Sequence, residues 1–452
     1  MIKGKLRRFL TLVSASALAL AGIAVGTISS GAGAAGSTPG VTATTITIGA
    51  TVPLSGIAAS YAPVSAAANA VFKWVNAHGG VNGRKIKYIR LDDCYDLAAY
   101  GLGCTAGASV TTLSQNQVLV AQDHVFATVG SLGTAAEESV ESYLKQNGVP
   151  QLFVNSGSKS WNNAKQYPDL FGFQTSYNAE GKIFAKYIKA HYPGETVGFI
   201  GQNDDFGANG YLGLEDGGLN IASANHLSYN AADAITGSSS DIQADVGTLA
   251  ANKVQVVVLD AVPGFVTGIL EVAHALSYSP TWIISSVGSD PISVNFAGEA
   301  GALTLDYLPE VTDNADPWIP WLREVLMADP ADFPNVTANS VLDANWLYGA
   351  GYAVAFVEAL KAEGRNVTRA GIVQSMLTTK YADLPVVPLA FSANNHQGLQ
   401  GGLITKIASN GTNPPDVALF TSSNVYTTGN AKSSPIVTST KLTISPIPAW
   451  LK

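Results

Sequence analysis

The chain is poor in charge, cysteine and basic clusters, and each shortage excludes something. Only 13% of its 452 residues are charged, the net charge is −8, and no stripe of lysine or arginine occurs. Nucleic acid, whose phosphates require clustered cations, is therefore not an expected partner. The only cysteines are Cys94 and Cys104. Without further thiols or a nearby histidine they cannot complete a tetrahedral metal site. The histidines at 78, 124, 191, 226, 274 and 396 fall at no ligand spacing, so neither metal nor cofactor is expected. A Walker-type glycine loop is absent, and so is H-E-x-x-H.

Apolar residues and glycine are plentiful: 47% of the chain is hydrophobic and 45 residues are glycine. A chain of this length buries two ordinary cores, which predicts two lobes. The first residues stand apart. Lys3, Lys5, Arg7 and Arg8 precede the uncharged run FLTLVSASALALAGIAVGTI and the small-residue stretch SSGAGAAGS, the order of a secretory signal. Cleavage near Ala34 removes those four cations and no acids, taking the net charge from −8 to −12. The alternative is a retained anchor, since about 20 apolar residues can span a bilayer. The segment has no cysteine for lipid attachment. Export makes a Cys94–Cys104 disulfide the expected state, closing a short loop and contributing about 2 to 3 kcal/mol if unstrained.

From residue 44 the pattern is strand, turn, helix, repeated. TITIGATVPL alternates as a strand, and SAAANAVFKWVNAHGG places Ala68, Val71, Phe72 and Val75 on one helical face before Gly79 and Gly80. KIKYIRLDD, VFATVGS and VPQLFV are further strands, and TAAEESVESYLKQNG is a helix with a predicted capping box of Thr134 and Glu137. The alternation restarts after Phe173, with VQVVVL apolar throughout, as a parallel strand covered on both faces should be. The expected fold is α/β, with a twisted parallel sheet in each lobe and ligand loops beyond the carboxyl ends of the strands. GSLGT, NSGSKS, NDDFG, DAVPG and VGSD occupy such positions. Near the end, WLYGAGYAVAFVEALKAEGR is a helix, PLAFSANNHQGLQGGLITKIA reads as a hairpin, and the Ser-, Thr- and Pro-rich tail from Gly429 is expected to be poorly ordered or draped on the surface.

NSGSKS admits two readings. Ser156 and Lys159 have the S-x-x-K spacing of a serine acyl-enzyme, but the partner tripeptides S-D-N and K-T-G do not occur. The other reading is a polar loop that holds a ligand without reacting with it.

IGATVPLSG, followed by AAANAVFKWVNAHGGVNGRKIKYIRLDD, resembles the opening of the type I extracytoplasmic solute-binding proteins of the leucine/isoleucine/valine-binding class, which serve ATP-driven importers. The resemblance runs from about residue 44 to 410. It implies two lobes that close on a ligand through a hinge crossed three times. Lobe one would be residues 44–173 with 309–388, and lobe two 174–308 with 389–428, leaving an irregular tail at 429–452. On the family's pattern Tyr61 is an aromatic wall, Ser131 and Thr134 meet a ligand carboxylate, and Ser156, Gly157 and Ser158 form a second carboxylate and amine loop. Phe206 closes from the other lobe. Val287 stands where amino-acid binders of the family place an acid for the ligand ammonium, and Asp260 or Asp290 is left to supply that charge. The family's second cysteine position falls on Gly133.

These expectations describe a monomeric binding protein, not an enzyme. It would take a small polar or anionic solute and pass it to a membrane permease, with Lys159 as a cationic rim. A sensor subunit that presents the solute to a membrane receptor is the alternative.

Overall fold

The computed structural model describes residues 38–452 except 57, 103–104, 108, 232–238, 382–383, 410–415, 441 and 443. The predicted signal segment and Cys104 therefore lie outside the described residues. β1 (Thr45–Val52), β2 (Lys85–Asp92), β3 (Thr128–Val129), β4 (Gln151–Val154) and β5 (Leu170–Gly172) form a five-stranded sheet in the order β2-β1-β3-β4-β5. Every pairing in it is parallel. Each β1 to β2 style crossover needs a helix to return the chain, and the Ala62–Ala77 helix supplies the first. Its predicted stripe of Ala68, Val71, Phe72 and Val75 is buried.

The second sheet is eight-stranded. β6 (Val197–Gln202), β7 (His226–Tyr229), β8 (Val256–Asp260), β9 (Thr281–Ile284) and β10 (Leu303–Asp306) pair in parallel. A hairpin of β11 (Leu389–Ser392) and β12 (Asn395–Leu399) intervenes in the chain before β13 (Gly401–Ser409), β14 (Asp416–Thr427) and β15 (Val437–Ser439) extend the second sheet antiparallel beyond β10. The second sheet is thus mixed, where the strand pattern predicted a parallel one. Among the described residues no α-helix stands between β13, β14 and β15, as antiparallel neighbours allow.

The β11–β12 hairpin was placed in the second lobe by the resemblance, yet its bonds go to the first sheet. Leu399 N donates to Phe173 O at 3.0 Å and the His396 ring meets Leu170 O at 2.9 Å. The chain passes to the second sheet at Gln400 and Gly401. Nor does the tail after Gly429 lie loose. β15 pairs with β14, and Leu451 is buried, its carbonyl accepting from Trp74 Nε1 at 2.9 Å. Among the described residues no helix is long and apolar enough to cross a membrane.

Candidate functional site

The loops after β1, β3, β4, β6, β9 and β10 meet across a cavity of ≈ 900 Å³, its open mouth included. Thr134 reaches it from the loop after β3. The predicted capping box does not form: Gly133, not Thr134, is the N-cap of the short Thr134–Glu138 helix, and no side chain caps it. Glu137 is instead buried, accepting from Thr51 Oγ1 at 2.7 Å and Gln151 Nε2 at 2.9 Å. Burial, together with Asp93 nearby, pushes its carboxyl up to about 8. The Thr134 hydroxyl is thereby free of the helix end, and it bonds Ser156 Oγ at 2.8 Å and Tyr177 OH at 3.2 Å.

Tyr177 organises this side of the cavity. It opens the Tyr177–His191 helix, capped by Ser176, and its ring lies 4.5 Å from that of Phe206, which comes from the same lobe. A Cβ on Gly157 would come within 2.7 Å of the Tyr177 ring, so only glycine lets the loop run beneath it. Ser156 and Gly157 stand behind Tyr177 and do not line the cavity. Ser158 turns away, donating to Glu138 Oε1 at 2.8 Å and approaching Asp205 Oδ2 at 3.4 Å. Lys159 is exposed and does not line the cavity; its backbone N–H bonds Asn209 Oδ1 at 3.0 Å.

Of the other predicted residues, Tyr61, Phe206 and Val287 line the cavity, and Tyr61 OH donates to the Val287 carbonyl at 2.7 Å, joining loops of the two sheets. Ser131 lies behind the lining, its Oγ accepting from Thr51 N. Asp260 is buried beneath the Asp205–Asp216 helix, where its Oδ2 fills the space a Cβ on Gly210 would need. Burial, then the Glu180 carboxylate, pushes Asp260 well above the usual carboxylate range. Asp290 does line the cavity, but its Oδ2 already accepts from Ser293 N, Ser293 Oγ and Asn345 Nδ2.

Sequence reasoning missed several lining residues. Tyr95 is presented by a turn in which Cys94, Tyr95 and Asp96 all have positive φ, at 53°, 60° and 56°. Each such residue costs about 1 to 2 kcal/mol. Asp93 accepts from Tyr95 N at 3.1 Å and from Thr112 Oγ1 at 2.8 Å, holding the turn. Gln174, Asp306, Tyr307, Asn345 and Tyr348 come from segments that pass between the sheets or from the Ala344–Glu363 helix. Tyr348 OH donates to Gln174 Oε1 at 2.9 Å, while the buried Gln174 Nε2 has no partner. Asp306, which caps the end of β10, is pushed up to about 7 by burial. No lysine or arginine is among the described residues that line the cavity.

Aromatic rings, hydroxyls and amides around a cleft between two α/β sheets are the usual make-up of a small-molecule site. The chain belongs to the periplasmic binding protein family, which it matches over residues 45–412. A possible leucine/isoleucine/valine-binding protein from Rhodopirellula baltica SH 1 is similar in fold at TM-score 0.68 and 19% identity, covering 83% of this chain and 96% of that one. A fatty acid ABC transporter substrate-binding protein from Thermomonospora curvata is similar at TM-score 0.71 and 18% identity, over 88% of this chain and 96% of that one. A branched chain amino acid ABC transporter protein from Thermus thermophilus, with bound valine, is similar at TM-score 0.67 and 18% identity, over 83% of this chain and 95% of its own. No curated protein sequence matches the chain.

Proposed function

We propose that this protein captures a small solute between two lobes outside the cytoplasm and delivers it, as a monomer, to the permease of an ATP-driven importer. The carrying observation is the aromatic and hydroxyl-lined cavity bridged by the Tyr61 to Val287 bond, a contact that exists only when the two sides are together. Solute held there stabilises the closed conformer, and the membrane partner distinguishes closed from open. The lobes are residues 44–173, 309–388 and the β11–β12 hairpin on one side, with 174–308 and 401–428 on the other. Export follows from the signal segment, with Cys94 and Cys104 paired as a disulfide.

We read the site as binding and not catalytic. Ser156 Oγ is committed to Thr134 and Tyr177, whereas Lys159 is turned to the surface, so neither is arranged as nucleophile and base. The two acids on the lining, Asp290 and Asp306, favour a solute without net negative charge, which narrows the polar or anionic expectation.

The test is mass spectrometry of ligand released from freshly purified protein, followed by small-angle scattering with that ligand added back. Compaction together with a raised melting temperature is expected. A ligand that raises the melting temperature without compaction would overturn the closure reading, and labelling of Ser156 by a covalent serine probe would overturn the non-enzymatic one.

A further inference from the structure

Three side-chain amides line the cavity: Asn155, Gln174 and Asn345. Asn345 is engaged within the protein, its Nδ2 donating to Asp290 Oδ2 at 3.2 Å. The other two are each half used. Asn155 Nδ2 donates to the Gly130 carbonyl at 2.9 Å, which leaves Oδ1 without a partner on a residue only 6% exposed. Gln174 Oε1 accepts from Tyr348 OH at 2.9 Å, and its Nε2 is the unpaired atom, on a residue 5% exposed. A buried polar group without a partner costs stability, so each one in a native fold calls for a reason. One of these two is an acceptor and the other a donor.

The fold brings them side by side. Asn155 follows β4 and Gln174 follows the neighbouring β5, and between them Phe173 N donates to Val154 O at 3.2 Å. Each amide stands one residue beyond that bond. Their orientations are set from elsewhere in the first sheet and its helices. The Gly130 carbonyl can only accept, so Asn155 must give it Nδ2 and keep Oδ1 over; Tyr348, on the Ala344–Glu363 helix, holds Gln174 by Oε1.

We propose that Asn155 and Gln174 are the specificity-determining pair of the solute site, selecting a neutral group that carries an N–H beside a carbonyl, as a primary carboxamide does. The carbonyl accepts from Gln174 Nε2, and the N–H donates to Asn155 Oδ1. This inference rests on the reading of the cleft as a solute site. A carboxylate offers acceptors only, so it would set an oxygen against Asn155 Oδ1, with Asp290 and Asp306 on the same lining. A ketone satisfies Gln174 and leaves Asn155 unpaired. An α-amino acid supplies donor and acceptor as full charges, which two neutral amides do not balance. The rings of Tyr61, Tyr95, Tyr177 and Phe206 on the lining suit the apolar remainder of such a solute.

The probes are acetamide, butanamide and benzamide, each with the methyl ketone and the carboxylate of the same skeleton, together with valine. Affinities are measured by calorimetry on the mature protein at pH 7.5. The best amide should bind at least about tenfold more tightly than its ketone, its carboxylate and valine. Gln174→Met, which keeps the side chain's length without its donor, should weaken amide and ketone alike by about tenfold and leave their ratio unchanged. Asn155→Leu should weaken the amide alone, bringing it level with its ketone. A merely structural role would lower all affinities together in both variants, so the crossed pattern is the signature. The ratios on the unaltered chain stand even where a variant fails to fold.

Amides that bind no better than their ketones or carboxylates, or valine that binds as tightly as the best amide, would overturn the inference. So would an amide preference that survives Asn155→Leu, an amide affinity unmoved by Gln174→Met, or failure of every amide to bind. Scattering on the same samples separates the two readings. Amide selectivity without compaction sinks the closure reading alone, and compaction on a released ligand that has no N–H beside a carbonyl sinks the amide pair alone.

Discussion

The two walls of the cleft differ in how their polarity is made. On the first-sheet side, the Thr134 and Ser156 hydroxyls bond each other and both reach Tyr177 OH, which comes from the second lobe, and none of the three is charged. On the second-sheet side the polar groups facing or backing the cavity include carboxyls: Asp290 and Asp306 at the lining, with Glu180 behind them accepting from Ser286 N at 2.7 Å. Hydroxyls satisfied by one another fix a shape without a field. Buried carboxyls do the reverse, because their cost depends on protonation. The contrast lies in the lining: among the described residues the acids that face the cavity are Asp290 and Asp306, both on the second-sheet side, whereas buried carboxyls, Glu137 and Glu180, stand behind both walls.

The strongest way to break this contrast is at Tyr177. Tyr177→Ala removes the ring that packs on Phe206 and leaves Thr134 and Ser156 short of a partner, with an expected loss of about 3 to 5 kcal/mol in chemical denaturation. A loss below about 1 kcal/mol would mean that the hydroxyl wall stands without it.

The next effect is on the acid side. Glu137 and Glu180 are pushed up to about 8 and Asp306 to about 7, chiefly by burial. The unfolded chain has these groups near 4, so between that value and 7 to 8 the folded state holds more protons. Stability should therefore fall as pH rises through that window, and the melting temperature should be higher at pH 5.5 than at pH 8.5. Glu180→Gln and Glu137→Gln should each flatten the slope, one behind each wall. An unchanged slope in both would show that other groups carry it.

Smaller still is Tyr61→Phe, which deletes the single bond from Tyr61 to Val287. The closed form should lose about 0.5 to 1.5 kcal/mol, read as a two- to tenfold weaker solute affinity. Lys159→Ala should change affinity by less than about 0.5 kcal/mol, because an exposed side chain off the lining is typical of neutral surface positions. A tenfold loss there would restore Lys159 as a steering charge.

Much of the fold was legible because the strands and helices repeat their apolar periods without interruption. The residues of β2 and the Ala62–Ala77 stripe fall as the periodicity places them. The site was less legible. Tyr61, Thr134, Phe206 and Val287 stand at loop ends where the resemblance puts them, but Ser131, Ser156, Gly157, Ser158 and Asp260 serve as the layer behind. A loop's position after a strand does not say which of its side chains points inward. Tyr95 was hidden for a different reason: its direction depends on three left-handed residues, a conformation that non-glycine side chains rarely announce. Gln174, Tyr307 and Tyr348 belong to distant segments that meet only in the fold.

The anchored tail has a mechanical consequence. β15 is stitched to the second sheet, while Leu451 is held by Trp74 and the Trp450 ring lies 5.1 Å from Lys361 Nζ, both beside the first sheet. The span from Ser439 to Trp450 is about eleven residues, so its full reach is about 36 to 40 Å. It works as a leash. If the halves part as proposed, their separation is limited to the reach of this segment unless the bond from Trp74 Nε1 to Leu451 O breaks first.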